Sequence, residues 1–194
     1  MILKIRQVGE PALRQFARPL GRDELLSPPI QELIVSMRET MRDAPGVGLA
    51  APQVGFSLQI AAIEDRQEYI DKLPPGQAEE RSRTAVPFHV LINPRLRPEG
   101  EETAAFFEGC LSLTGFAAIV PRARAVHVDC LNERGEPVEI FAEGWYARIL
   151  QHEIDHLHGS LYIDHMWSRS FMTADNFNRY GKDFPPGDSD LHRR

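Results

Sequence analysis

The clearest helical pattern in the first half of the chain is "SPPIQELIVSMRETMRD", in which Ile30, Leu33, Ile34, Met37 and Met41 recur at spacings of three and four. That periodicity predicts an amphipathic helix with one buried face. Ser27 is placed to cap it, the two prolines suit its first turn, and Pro45-Gly46 stops it. "LQIAAIE", from Leu58 to Glu64, predicts a buried strand, and the charged, Pro- and Gly-bearing stretch from Asp65 to Val86 predicts an exposed loop. "FHVLINPRL" predicts another strand. In "RAVHVDCLN", Val126, Val128 and Cys130 alternate with His127 and Asp129, the pattern of a strand with two unlike faces. Arg134-Gly135-Glu136 predicts a turn into "PVEIFAE", and from Gly144 to about His158 the period becomes helical again. Past Trp167 the charges balance and Pro185-Pro186-Gly187 intervenes, which predicts a polar, loosely packed tail over 168–194. The expected architecture is one α+β domain over 1–167, with mixed or antiparallel strands.

Length and composition are compatible with that picture. A chain of 194 residues, 42% hydrophobic and 26% charged, suits a single folded domain. Its net charge of −6 disfavours an electrostatically driven nucleic-acid binder. No run approaches the length that crosses a bilayer, and "MILKIRQVGEPALRQ" has the features of neither a secretion signal nor an import peptide. The expected location is the cytoplasm, without a membrane or nucleic-acid partner. In such a compartment Cys110 and Cys130 are expected as free thiols or metal thiolates rather than as a disulfide.

The second helix carries the candidate chemistry, "ILQHEIDHLHGSLYIDH". Residues four apart in a helix lie roughly 40° apart around the axis and about 5.4 Å along it, so His152 and His156 can reach one metal ion. Glu153 then lies where its carboxylate can contact a metal-activated water without being a ligand. The apolar flank of Ile149, Leu150, Ile154 and Leu157 supplies the water-poor wall such a site needs. His158 is out of register and His165 lies beyond a glycine, so both are expected at the surface or behind the ligands. Three protein ligands are the rule at a catalytic zinc-type site. Cys110, after Gly109 in "EGCLS", is favoured as the third over Cys130, which falls on the apolar face of a strand; a histidine or carboxylate remains an alternative. The segment "GVGLAAPQVG", Gly46 to Gly55, permits close backbone approach and presents the Gln53 amide. It lacks the ending of a phosphate-binding loop.

In this order, "GVGLAAPQVG", "EGCLS" and "QHEIDHLHG" resemble the three signature motifs of the peptide deformylases. The similarity extends from about "VGEPALRQFARPL" to "IDHM", and its second half is most similar to the subgroup shared by organellar and some bacterial enzymes. With no import peptide seen, a bacterial cytosol is expected. The resemblance implies strands around a central metal-binding helix, an N-terminal amphipathic helix, and removal of the formyl group from the N-terminal formylmethionine of new polypeptides, with release of formate. It implies Cys110, His152 and His156 as metal ligands, Glu153 as acid and base, and Gln53 with the Leu111 N–H as donors to the reacting carbonyl. Gly48 and Gly109 would line the substrate groove and Val47 would face the methionine pocket. The implied cofactor is one divalent ion, Fe(II) foremost, with zinc, nickel or cobalt compatible with the ligands. The implied partners are N-formylmethionyl nascent peptides, with transient proximity to the ribosome.

Two features depart from the family pattern. "TGFAAIV" lacks the arginine that many bacterial members carry just after the cysteine motif, and the tail does not resemble the basic helix with which some dock on the ribosome. A metallopeptidase with another third ligand, a non-catalytic binder of formylated chains, and a purely structural metal site closed by a fourth protein ligand are the competing expectations.

Overall fold

A computed structural model describes residues 1–181. The strands are β1 (Gly48–Ala50), β2 (Ile60–Asp65), β3 (Val86–Pro98), β4 (Thr103–Cys110), β5 (Leu113–Ala123), β6 (Ala125–Leu131), β7 (Pro137–Glu143) and β8 (Met172–Thr173). The helices are α1 (Arg22–Leu25), α2 (Pro28–Asp43), α3 (Gln67–Ile70), α4 (Gln77–Glu80), α5 (Gly144–Leu157) and α6 (Ala174–Tyr180). One sheet has the order β1-β2-β3-β6-β7 and the other β4-β5-β8. Every pairing between these strands is antiparallel, so of the two expected arrangements the antiparallel one is found.

The larger sheet lies between the two long helices, and this explains why β2 reads as an unbroken apolar run. Alternate residues of a strand point to opposite faces. Ala61 and Ile63 join Leu150, Ile154 and Leu157 of α5 in one core cluster. Ile60 and Ala62 join Leu33, Met37 and Met41 of α2 in another. With both faces covered, Ile60–Ile63 are all apolar, and the strand's last two residues, Glu64 and Asp65, are buried as ion pairs with Arg42 and Arg83. A third, smaller core joins Leu113, Ala118 and Val120 of β5 to Tyr162, just beyond α5.

Three expectations are corrected. Ser27 occupies the N-cap position of α2, but its hydroxyl donates to the Glu24 carbonyl at 2.6 Å rather than capping. Pro28 and Pro29 have no N–H to cap, and the Ile30 N–H goes to the Ser27 carbonyl at 3.2 Å. The stretch from Asp65 to Val86 is no simple exposed loop: it holds α3 and α4 and is pinned by Asp65, wholly buried, against Arg83 at 2.7 and 2.9 Å. Residues 168–181, mostly exposed, are fastened to β4 and β5 at a few points. The buried Ser170 accepts the Ile119 N–H at 2.8 Å, Phe171 stacks on Phe116 at 5.1 Å, and Phe177 packs on Phe107 at 4.8 Å. The rest of the expected tail, 182–194, lies outside the described residues.

Among the described residues no helix is long and apolar enough to cross a membrane. Leu91, fully buried in the sheet beneath α5, tests the packing. Leu91→Ala is expected to lower the unfolding free energy by about 2–5 kcal/mol, whereas Val35→Ala, at an exposed position of α2, should change it by under about 0.5 kcal/mol. Urea titration measures both.

Candidate metal centre and substrate cleft

Helix α5 and the end of β4 bring Cys110, His152 and His156 together. One ligand atom from each lies within 4.8 Å of the others, and among the described residues no fourth His, Cys, Asp or Glu joins the group. Cys110 Sγ is 3.3 Å from His156 Nε2. It also accepts the Ser112 N–H at 3.4 Å and a Gln53 amide N–H at 3.5 Å. Gln53 is itself fixed: its Oε1 accepts the Ala50 N–H at 2.8 Å, and its Nε2 lies 3.2 Å from the Ser112 hydroxyl. Cys130 stays in the core, and burial together with Asp129 pushes its thiol up to about 11. His158 is exposed and stacks on Phe16, while His165, also exposed, faces Asp155 at 3.6 Å.

Glu108, two residues before Cys110, holds the centre in place. Its carboxylate accepts from Arg122 Nε at 2.8 Å and Nη2 at 3.0 Å, and from Arg148 Nη1 at 2.6 Å. It lies 2.9 Å from His152 Nδ1. That contact makes Nδ1 the donor and leaves His152 Nε2 as the free ligand atom. Burial alone would raise the Glu108 carboxyl, but the Arg122 charge and the His152 and Arg122 hydrogen bonds hold it far below the usual carboxylate range. Its folded value is thus below its unfolded one, so Glu108 stabilises the fold at neutral pH and loses that effect only as pH falls through the acid range. Arg122 also pairs with Asp155 at 2.5 Å.

Glu153 is buried and its Oε2 has no hydrogen-bond partner among the described residues. Burial, opposed by the His152 charge, pushes its carboxyl up to about 7. A Cβ on Gly48 would stand 2.2 Å from Glu153 Oε1, so glycine there makes room for the carboxylate. His152 and Glu153 open into a cleft of about 430 Å³ also lined by Val47, Gly48, Gly109 and Leu111. Its sides are the free edges of the two sheets, β1 and β4. A cavity of about 620 Å³ on the far side of Arg148 contains none of the three ligand residues.

A family model described as polypeptide deformylase matches residues 2–171. The chain belongs to the polypeptide deformylase family. The chloroplastic peptide deformylase 1A of Solanum lycopersicum is 45% identical over 90% of this chain, which spans 63% of that relative's length. Peptide deformylase 1 of Streptomyces coelicolor is 46% identical over 88% of this chain and 76% of its own. The Met-Ala-Ser-bound crystal structure of class I type b peptide deformylase from Acinetobacter baumannii matches with a TM-score of 0.74 at 34% identity, covering 86% of this chain and 99% of that one.

In this deformylase-family chain, every residue singled out from the three motifs lies in or beside one site. Reading the sequence missed Glu108, Arg122, Arg148 and Ser112. Arg148 carries a signal, since it lies one helical turn before His152 and is a charge in an apolar run. Arg122 carries none, because only the fold brings it to Glu108. Glu108→Gln leaves two buried guanidiniums short of their counter-charge and weakens the orientation of His152. Metal affinity is expected to fall about 10–100-fold and stability by about 3–5 kcal/mol. Competition with a chromophoric chelator and thermal unfolding measure the two; unchanged affinity would remove Glu108 from this role.

Proposed function

We propose that this chain removes the formyl group from the N-terminal formylmethionine of newly made polypeptides and releases formate. The observation that carries the reading is a buried carboxylate, Glu153, beside three converging ligand atoms that no fourth ligand among the described residues closes, in a member of this family. The donor set fits a divalent metal ion: Cys110 Sγ, His152 Nε2 and His156 Nε2 would hold it, and thiolate with imidazole suits iron, zinc, cobalt or nickel. Fe(II) is our choice among them, from the resemblance of the motifs. Bound there, the ion supplies Lewis acidity that makes a water nucleophilic near neutral pH.

The residues of the chain account for the other requirements. An extended peptide fits between the free edges of β1 and β4, along a cleft lined by Gly48 and the exposed Gly109. Val47, on the cleft wall, would face the methionine side chain. Glu153 takes the proton of the attacking water. As the formyl carbon becomes tetrahedral, the Gln53 amide and the Leu111 N–H donate to its oxygen, an effect worth about 3 kcal/mol per donor. The C–N bond then breaks, and Glu153 delivers its proton to the leaving amine of methionine. A carboxylate buried enough to be easily protonated suits both halves of that exchange. The substrate is thus the N-formylmethionyl nascent peptide, met close to the ribosome, and 1–181 act as one catalytic unit.

The test is formate release from formyl-Met-Ala-Ser by protein loaded with Fe(II) without oxygen, beside the unformylated peptide. Release confined to the formylated peptide is expected; cleavage of the unformylated one would favour a metallopeptidase. Glu153→Gln should retain the metal and lose about 10²–10⁴-fold in kcat. Gly48→Ala should likewise keep the metal and lose turnover, because its methyl displaces the Glu153 carboxylate. Near-normal turnover in both variants would take the proton-transfer role from Glu153.

A further inference from the structure

The segment between β2 and β3 ends beside the cleft. Its residue 81–82 backbone is seated on Gly144 at the start of α5: a Cβ there would stand 2.6 Å from Ser82 Cβ and 2.9 Å from the Arg81 carbonyl oxygen. Ser82 is held in the left-handed region at φ 47°, a conformation costly for a residue with a side chain. The buried Asp65–Arg83 pair fixes the next residue. Together these contacts hold Arg81 at the cleft wall, its guanidinium 4.9 Å from the Trp145 ring centre and 5.8 Å from that of Phe106.

Arg81 makes no ion pair among the described residues, and its Nε is buried without a hydrogen-bond partner. The exposed Glu80 is its carboxylate neighbour in sequence but does not bond it. Arg83 is committed to Asp65, and Arg122 and Arg148 to Glu108. Burial lowers the Arg81 guanidinium, opposed by Glu80 and reinforced by Arg83. Arg81 thus adds unbalanced positive charge, partly stripped of water, which an incoming anion would relieve. A neighbouring cavity of about 320 Å³, between this segment and α6, shares Arg81, Phe107 and Phe177 with the cleft. A chain continuing out of the cleft in that direction passes the guanidinium.

We propose that Arg81 is a specificity-determining residue that recognises an acidic side chain of the peptide downstream of its formylated methionine. The inference rests on the deformylase reading and adds a substrate preference to it. The experiment uses the metal-loaded full chain with C-terminally amidated formyl-Met tetrapeptides carrying Glu or Gln in turn at the second, third and fourth positions. Formate release from the all-neutral peptide tests the underlying reading separately. At one or more positions Glu should exceed Gln in kcat/KM by about fivefold, the size of one half-exposed charge pair, and added salt should reduce the ratio. In Arg81→Gln that ratio should fall to about one, through loss of kcat/KM for the Glu peptide. Arg81→Lys should restore part of the preference, which a loss of local folding would not allow. Equal rates for Glu and Gln peptides at all three positions, or a preference unchanged in Arg81→Gln, would overturn the proposal.

Discussion

A single buried carboxylate, Glu108, joins the elements that make the site. It sits on β4 and takes hydrogen bonds from Arg122 on β5 and Arg148 on α5, and it meets His152 on the same helix. Burying such a charge alone would cost several kcal/mol. The two guanidiniums and the imidazole offset that cost only when β4, β5 and α5 are in register, so the ion pairs specify the arrangement as much as they stabilise it. The consequence for chemistry is direct. Cys110 lies two residues from Glu108 and His156 one turn from His152, so fixing Glu108 fixes all three ligand atoms.

Glu153 illustrates the complementary constraint, which is space. It needs a dry position beside the ligands, and that position exists because Gly48 has no side chain. Packing of α5 on the sheet through Leu150, Ile154 and Leu157 holds the helix at that depth. The same burial that raises the Glu153 carboxyl prepares it to carry a proton. A cation held by the neighbouring ligands would oppose that shift and favour the ionised form that takes the proton.

Local chemistry was legible in the sequence wherever periodicity or spacing expresses it. The α2 stripe, the paired histidines of α5 and the alternation of Val126, Val128 and Cys130 each follow from one repeat distance. The choice of Cys110 over Cys130 was also accessible, since one follows a glycine and the other sits on an apolar strand face. The β4-β5 hairpin was not: the alternation in "TAAFFEGC" is blurred because most of its residues are only half-buried. Residues 168–181 read as a polar tail because their burial comes from a few aromatic contacts with β4 and β5 rather than from a repeating stripe. The role of Arg122 depends on a pairing across the fold, and no local pattern encodes it.

The centre formed by Cys110, His152 and His156 is tested most directly by visible absorption of the Co(II)-substituted protein. One equivalent of Co(II) should give a thiolate-to-cobalt charge-transfer band that is lost in Cys110→Ser and kept in Cys130→Ser. A band that persists in Cys110→Ser, or that depends on Cys130, would contradict the assignment of the thiolate on which the arrangement of the site is built.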